Sequence, residues 1–287
     1  MSKLYQNVLT VMLQNYDNTK SVESSKCQET FCQETFQCST QCLTDIFRTH
    51  KNRIYNCKTI TSMYILRFCN RYSSEIYHIL NDIIPKLTTG DLILSIGCGS
   101  CMEILGIERY SRDNNLGMIN YVGIDTNFIW QDASKYFCLN TQNISSKAEY
   151  NAIDSRSFLP KVKVFLFNYC LSDIKNHSNL NNFLCNDFSS YLELLPNDSY
   201  VIINDQNHGD EWEDNFDVWS SSLDTSKYTV TNYFFDPGSH KPCNPRGKRM
   251  FHKQLVFSNF GLDPRIEKYF QANLPCCESG ITIIHKI

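Results

Sequence analysis

Apolar residues along the chain follow two rhythms. Up to about Leu87 they recur at helical spacing, first as Leu4, Val8 and Val11, then over a longer stretch as Ile65, Phe68, Tyr72, Ile76, Ile79 and Ile83. Pro85 and the Thr88-Thr89-Gly90 turn end the second helix. From Asp91 the pattern changes to short apolar runs: Leu92 to Ile96, Tyr121 to Ile124, Val162 to Phe167, Tyr200 to Ile203, Tyr228 to Phe235, and Ile281 to Ile284. Runs of this length, rich in Ile, Val, Phe and Tyr, predict buried strands covered by helices on both faces. The gaps between the first four leave room for crossover connections. The expected architecture is an α/β doubly wound, Rossmann-like sheet over residues 89–287, behind a helical N-terminal region over 1–88.

Composition narrows the class. With 287 residues, 42% hydrophobic and 20% charged, the chain can build its own core, and a formal charge of −3 gives no global attraction to nucleic acid or anionic lipid. No apolar run is long enough to span a bilayer, and Met1 to Met12 interrupts its apolar positions with Lys3, Gln6 and Asn7. The expectation is a cytoplasmic protein without membrane contact, whose 14 cysteines are reduced thiols. Four of them, Cys27, Cys32, Cys38 and Cys42, surround a short tandem repeat, Cys27 to Phe31 and Cys32 to Phe36. Their spacing departs from paired zinc ligands, which leaves a polar linker with free thiols and a metal or iron–sulfur site as alternatives.

The densest chemical signal is Leu92-Ile-Leu-Ser-Ile-Gly97-Cys98-Gly99-Ser-Cys101-Met. A hydrophobic strand runs into two glycines, which permit a tight turn and close approach of a ligand to backbone N–H groups. The next strand run ends in Asp125, where a carboxylate can accept from both hydroxyls of a ribose. The third glycine of a dinucleotide fingerprint is Met102, and no Walker lysine follows, so a nucleoside rather than a pyrophosphate is the expected ligand.

Turn, acid and strand order together resemble the class I S-adenosylmethionine-dependent methyltransferases over roughly residues 60 to 287. The resemblance implies S-adenosyl-L-methionine as cofactor, with Gly97 and Gly99 at its methionine part, Asp125 at its ribose and Asp154 near its adenine. Ser95 stands where the family usually carries an acid, and Cys101 where it carries a third glycine. Asn168 and Tyr169, after the fourth run, occupy the family's substrate-facing motif and are the implied catalytic residues. Tyr169 to Ile174 is also similar to the Y-x-L-S-E-L stretch of bacterial methyltransferase-like proteins and of a mitochondrial small-subunit ribosome methyltransferase-like family. The resemblance names no methyl acceptor among RNA, protein and small molecules, and no oligomeric state. Ser95 and Cys101 motivate an alternative: a non-catalytic binding or assembly module of the same fold, associated with RNA.

Other candidates have plainer readings. Cys170 lacks the context of a cytosine-methylating nucleophile and reads as a buried strand cysteine. Cys98 and Cys101 form a C-x-x-C without the second pair that zinc would need, and no metal is expected there. Six acids lie between Asp205 and Asp217, and Lys241, Arg246, Lys248, Arg249 and Lys253 follow. The basic segment reads either as a phosphate-gripping loop or as a hairpin paired with the acidic one. His208, beside the acidic segment, is a candidate general base.

Overall fold

The computed structural model describes residues 3–24, 57–150, 155–170, 187–206, 219–235, 249–258, 261–270, 277 and 279–287. Asp154, the Cys27 to Cys42 group, His208, most of the acidic and basic segments and the residues after Cys170 lie outside them. Helices α1 (Lys3–Ser24) and α2 (Lys58–Asp82) precede β1 (Leu92–Ile96), α3 (Ile104–Asp113), β2 (Ile119–Ile124), α4 (Gln131–Leu139), β3 (Ile144–Glu149) and β4 (Val162–Asn168). Then come α5 (Ser189–Leu194), β5 (Ser199–Gln206), β6 (Tyr228–Phe235), β7 (Arg249–Phe251), α6 (Pro264–Phe270) and β8 (Ser279–Lys286).

The strands form one sheet in the order β3-β2-β1-β4-β5-β8-β6-β7. Pairs from β3 through β5 are parallel, and β8 runs antiparallel to both β5 and β6. The chain therefore reverses from β1 toward β2 on one side and β4 on the other, leaving a crevice at the strand tips where that order switches. The expected doubly wound α/β sheet with N-terminal helices is present.

Alternation along each strand divides the core into two layers. Ile93, Val164, Leu166, Ile202 and Ile283 join the layer built with α1, α2, α3 and α6, while Leu94, Phe165, Phe167, Val201 and Ile203 join Phe188, Leu192 and Trp219 on the opposite face. Two strands fall outside the expected runs. Ile144–Glu149 is polar and half-exposed because β3 closes one edge of the sheet, and the three-residue β7 closes the other.

Helix α2 sits across the N-terminal end of α3 at contact distance. Ser73 Oγ donates to Met102 O at 2.7 Å, and a Cβ added to Gly106 would lie 2.1 Å from Ser73 O. Neither backbone can yield cheaply, so glycine is what lets the two helices meet. Gly106→Ala should lower unfolding free energy by about 1–3 kcal/mol through overpacking, read as a shift in the urea midpoint with an unchanged slope.

Candidate functional site

After β1 the backbone passes through Gly97, Gly99 and Cys101 at φ of +63°, +50° and +63°. Left-handed backbone costs little for the glycines but strains Cys101, where the family resemblance had a third glycine. At Gly97 the requirement is also one of space, because a Cβ would meet Cys170 Cβ at 2.5 Å. Cys170 is buried and its Sγ–H points to Ile96 O at 3.2 Å, so this thiol closes β4 against the turn.

Asp125 follows β2 and reaches back to the same turn. Its Oδ2 accepts from Gly99 N and its Oδ1 from Asn127 N, both at 2.8 Å. A carboxylate offers about four acceptor sites, so these bonds do not exhaust it. Burial raises the Asp125 pKa, opposed by the backbone N–H groups bonded to it. Around it, Tyr150 donates its hydroxyl to Gly99 O at 2.7 Å, the Trp130 indole packs on Gly99, and the ring of Phe128, 56% exposed, stands 6.1 Å from that of Tyr150. The Ser100 hydroxyl, sealed inside the turn, is one of two buried side-chain polar atoms without a hydrogen-bond partner among the described residues.

Ser95 does not face this crevice. Its side chain is buried and donates to Glu103 Oε1 at 2.7 Å, and Tyr121 donates to the same oxygen at 2.7 Å. A carboxylate, Glu103, thus lies against Ser95, turned inward beneath the turn. Burial raises the Glu103 pKa, with the two hydroxyls pulling the other way. Cys98 and Cys101 are free, buried thiols, and burial pushes Cys98 up to about 11. Among the described residues, no group of three or more His, Cys, Asp or Glu is placed to hold a metal ion.

Asn168 and Tyr169 end β4 beside β5 and beneath α2. Tyr169 has φ of +57°, is buried, and stacks on Tyr72 with ring centroids 3.7 Å apart. Its hydroxyl donates to Glu75 Oε2 and accepts from Arg71 Nη2, both at 2.9 Å, while Arg71 Nε donates to Glu75 Oε1 at 3.2 Å. Asn204 Nδ2, from β5, donates to Glu75 Oε2 at 3.1 Å and to Asn168 Oδ1 at 2.9 Å. The Asn204 carbonyl oxygen receives Tyr169 N at 2.7 Å, and its Oδ1 receives Ser279 Oγ at 2.5 Å. Tyr169 is therefore a wall residue held from both sides, and only half-buried Asn168 keeps a free amide N–H₂ among these bonds.

The structure brings Gly97, Gly99, Asp125 and Asn168 to one end of the sheet and turns Ser95 and Tyr169 into buried networks. Sequence reasoning missed Arg71, Glu75, Glu103, Trp130 and Tyr150. The available signal was charge inside an apolar helical stripe: Arg71 and Glu75, one turn apart, fall among Phe68, Tyr72 and Ile76.

No protein-family model matches the sequence, and no curated protein is similar to it. Among solved structures, loganic acid methyltransferase with bound S-adenosylhomocysteine is 10% identical, covers 83% of this chain and 96% of its own, and gives a TM-score of 0.47. The fibrillarin/Nop5p complex is 10% identical over 76% of this chain and 83% of that one, with a TM-score of 0.42. The CurJ carbon methyltransferase is 12% identical over 98% and 70%, with a TM-score of 0.41. Likenesses this distant carry no activity or acceptor over to this chain. The strand order itself, with one late antiparallel strand between the fifth and sixth, gives a doubly wound, Rossmann-like α/β sheet.

Two stability effects follow. Glu75→Ala strands a buried guanidinium and should cost about 3–5 kcal/mol by urea unfolding, more than the paired replacement Arg71→Met with Glu75→Leu. Because the folded state raises the Glu103 pKa above the ordinary 4.5, folding binds a proton there, and stability falls as pH rises through that value. Glu103→Gln keeps an acceptor oxygen for Ser95 and Tyr121. Its melting temperature should exceed that of the parent at pH about 7, and the difference should vanish below pH about 4, where the glutamate is neutral in both states.

Proposed function

We propose that the chain binds S-adenosyl-L-methionine over the Gly97–Gly99 turn and transfers its methyl group to an acceptor that approaches the tip of β4. The observation carrying this reading is Asp125: a carboxylate at the β2 tip, hydrogen-bonded to the glycine-turn amide, with acceptor capacity left for a ribose hydroxyl. The donor set suits a nucleoside with an aliphatic tail. Phe128, exposed and backed by the buried Tyr150 ring, supplies aromatic surface, and the buried Ser100 hydroxyl in the turn is open to a partner.

When bound, the cofactor supplies an already activated methyl group, so the protein's share is alignment and exclusion of water. Asp125 fixes the nucleoside, Trp130 and the glycine turn limit where the tail can lie, and the Asn168 amide faces the incoming acceptor. Tyr169 acts as a positioning residue, since its hydroxyl is spent on Arg71 and Glu75. Asp154, outside the described residues, retains the adenine-side role that the resemblance implies.

A second reading, a binding or assembly module of the same fold without turnover, is favoured by that fixed Tyr169 and by the side-chain packing of Trp130 on Gly99. Isothermal titration separates the possibilities. Tight binding of S-adenosylmethionine, lost by about tenfold or more in Asp125→Ala with the fold intact by circular dichroism, supports a cofactor site. Absence of binding in the folded parent protein would sink it. Binding without methyl transfer to any fraction of a cell extract would favour the module.

A further inference from the structure

Helix α2 carries Tyr64, Arg67, Arg71 and Glu75 at three- and four-residue steps, so these side chains share one face. Contacts at each end locate that face. The Tyr64 ring lies 5.6 Å from that of Trp130, which packs on Gly99, while Arg71 and Glu75 bond the Tyr169 hydroxyl. Arg67 therefore stands between the glycine turn and the β4 tip, at the level where a ligand's tail and an acceptor would meet.

Among the described residues, nothing accepts a hydrogen bond from its Nε. Glu75 is committed to Arg71, Tyr169 and Asn204, and no carboxylate is paired with Arg67 among the described residues. The Arg67 guanidinium lies 5.4 Å from the Phe68 ring, and its Nε is sealed from solvent without an acceptor. Burial, and the like charge of Arg71, lower its pKa, while Tyr72 opposes them. A guanidinium does not shed its proton in proteins, so it can be relieved only by an acceptor. Buried polar groups left unpaired are rare in folded proteins.

We propose that Arg67 is the receptor for a carboxylate of a ligand bound between the glycine turn and the β4 tip. The planar guanidinium fork matches a carboxylate through two parallel N–H···O bonds, and the partly desolvated position strengthens them. The amino-acid end of S-adenosylmethionine carries such a group, and an acidic acceptor would carry another. The first source rests on the cofactor reading above; the second does not.

The test compares the parent protein with Arg67→Gln and Arg67→Lys. Each is titrated with S-adenosylhomocysteine and with methylthioadenosine, which keeps the nucleoside and lacks the amino-acid end. Each is also melted in sodium acetate against sodium chloride at equal ionic strength, both free and saturated with S-adenosylhomocysteine. If the carboxylate is the cofactor's, Arg67→Gln weakens S-adenosylhomocysteine by about tenfold or more and leaves methylthioadenosine within about twofold. If it is the acceptor's, both titrations stay within about twofold, and the acetate-specific rise in melting temperature of the saturated parent disappears in the variant. Arg67→Lys, a point charge without the fork, should fall between, and it carries the test should Arg67→Gln fail to fold. Equal loss of both nucleosides, or no change in either titration together with an unchanged acetate effect, overturns the proposal. A parent that binds neither nucleoside defeats the cofactor reading alone; the acetate melts of the free proteins then decide whether Arg67 receives a carboxylate.

Discussion

The Glu75 carboxylate, with Arg71 one helical turn before it, is where the N-terminal helices become part of the sheet. It receives hydrogen bonds from α2, β4 and β5, and Asn204 extends the set to β8. Buried charge is costly unless paired and hydrogen-bonded, and here the residues at the ends of β4 and β5 contribute to the pairing. The left-handed backbone at Tyr169 is sustained by that arrangement, since the side chain is held by two hydrogen bonds and a stacked ring while its amide is held by β5. Other contacts of α2 build on the same seat. Asn70 and Ser74 bond the backbone of Val256 and Phe257, which brings a late segment of the chain over the helix.

A second inward carboxylate, Glu103, serves the opposite wall. It gathers Ser95 from β1 and Tyr121 from β2 beneath the glycine turn, and so ties the first turn of α3 to the strands below it. Two buried acids thus hold the walls together, while Asp125, less buried, follows β2 and bonds the glycine turn. What separates these carboxylates is the kind of donor each has been given. Glu75 and Glu103 each face side chains from neighbouring elements, whereas Asp125 faces only backbone N–H groups of its own turn and the glycine turn.

Much of this fold is legible in the hydrophobic pattern. β1 and β6 span the same residues as their apolar-rich runs, since both are dominated by β-branched, leucine and aromatic residues. β3 escaped because Ile144–Glu149 is an edge strand that buries little side-chain surface, so nothing in its composition separates it from a loop. In the site, Gly97, Gly99 and Asp125 were legible because strand, turn and acid occur in a fixed local order. Arg71 and Glu75 were not, since a pair of opposite charges one turn apart is the usual mark of a solvated helix face, and only tertiary packing converts it into a buried one. Ser95 was legible as a departure from the family pattern, but its hydrogen bond to Glu103 required the turn to fold back over β1.

The place of β8 in the sheet bears on the order in which the molecule can be assembled. β5 and β6 do not touch as neighbours; the strand that joins them lies later in the chain than both. On a ribosome, β1 to β5 can pair as they emerge, yet the outer edge of β5 stays open until residues 279–286 arrive, with Ile202 and Ile203 on the exposed strand. An unprotected edge of that kind is a template for pairing with another chain. For that interval the nascent protein depends on keeping its own edge unoccupied, and Ser279 entering the Asn204 network closes the edge and the crevice wall in the same event.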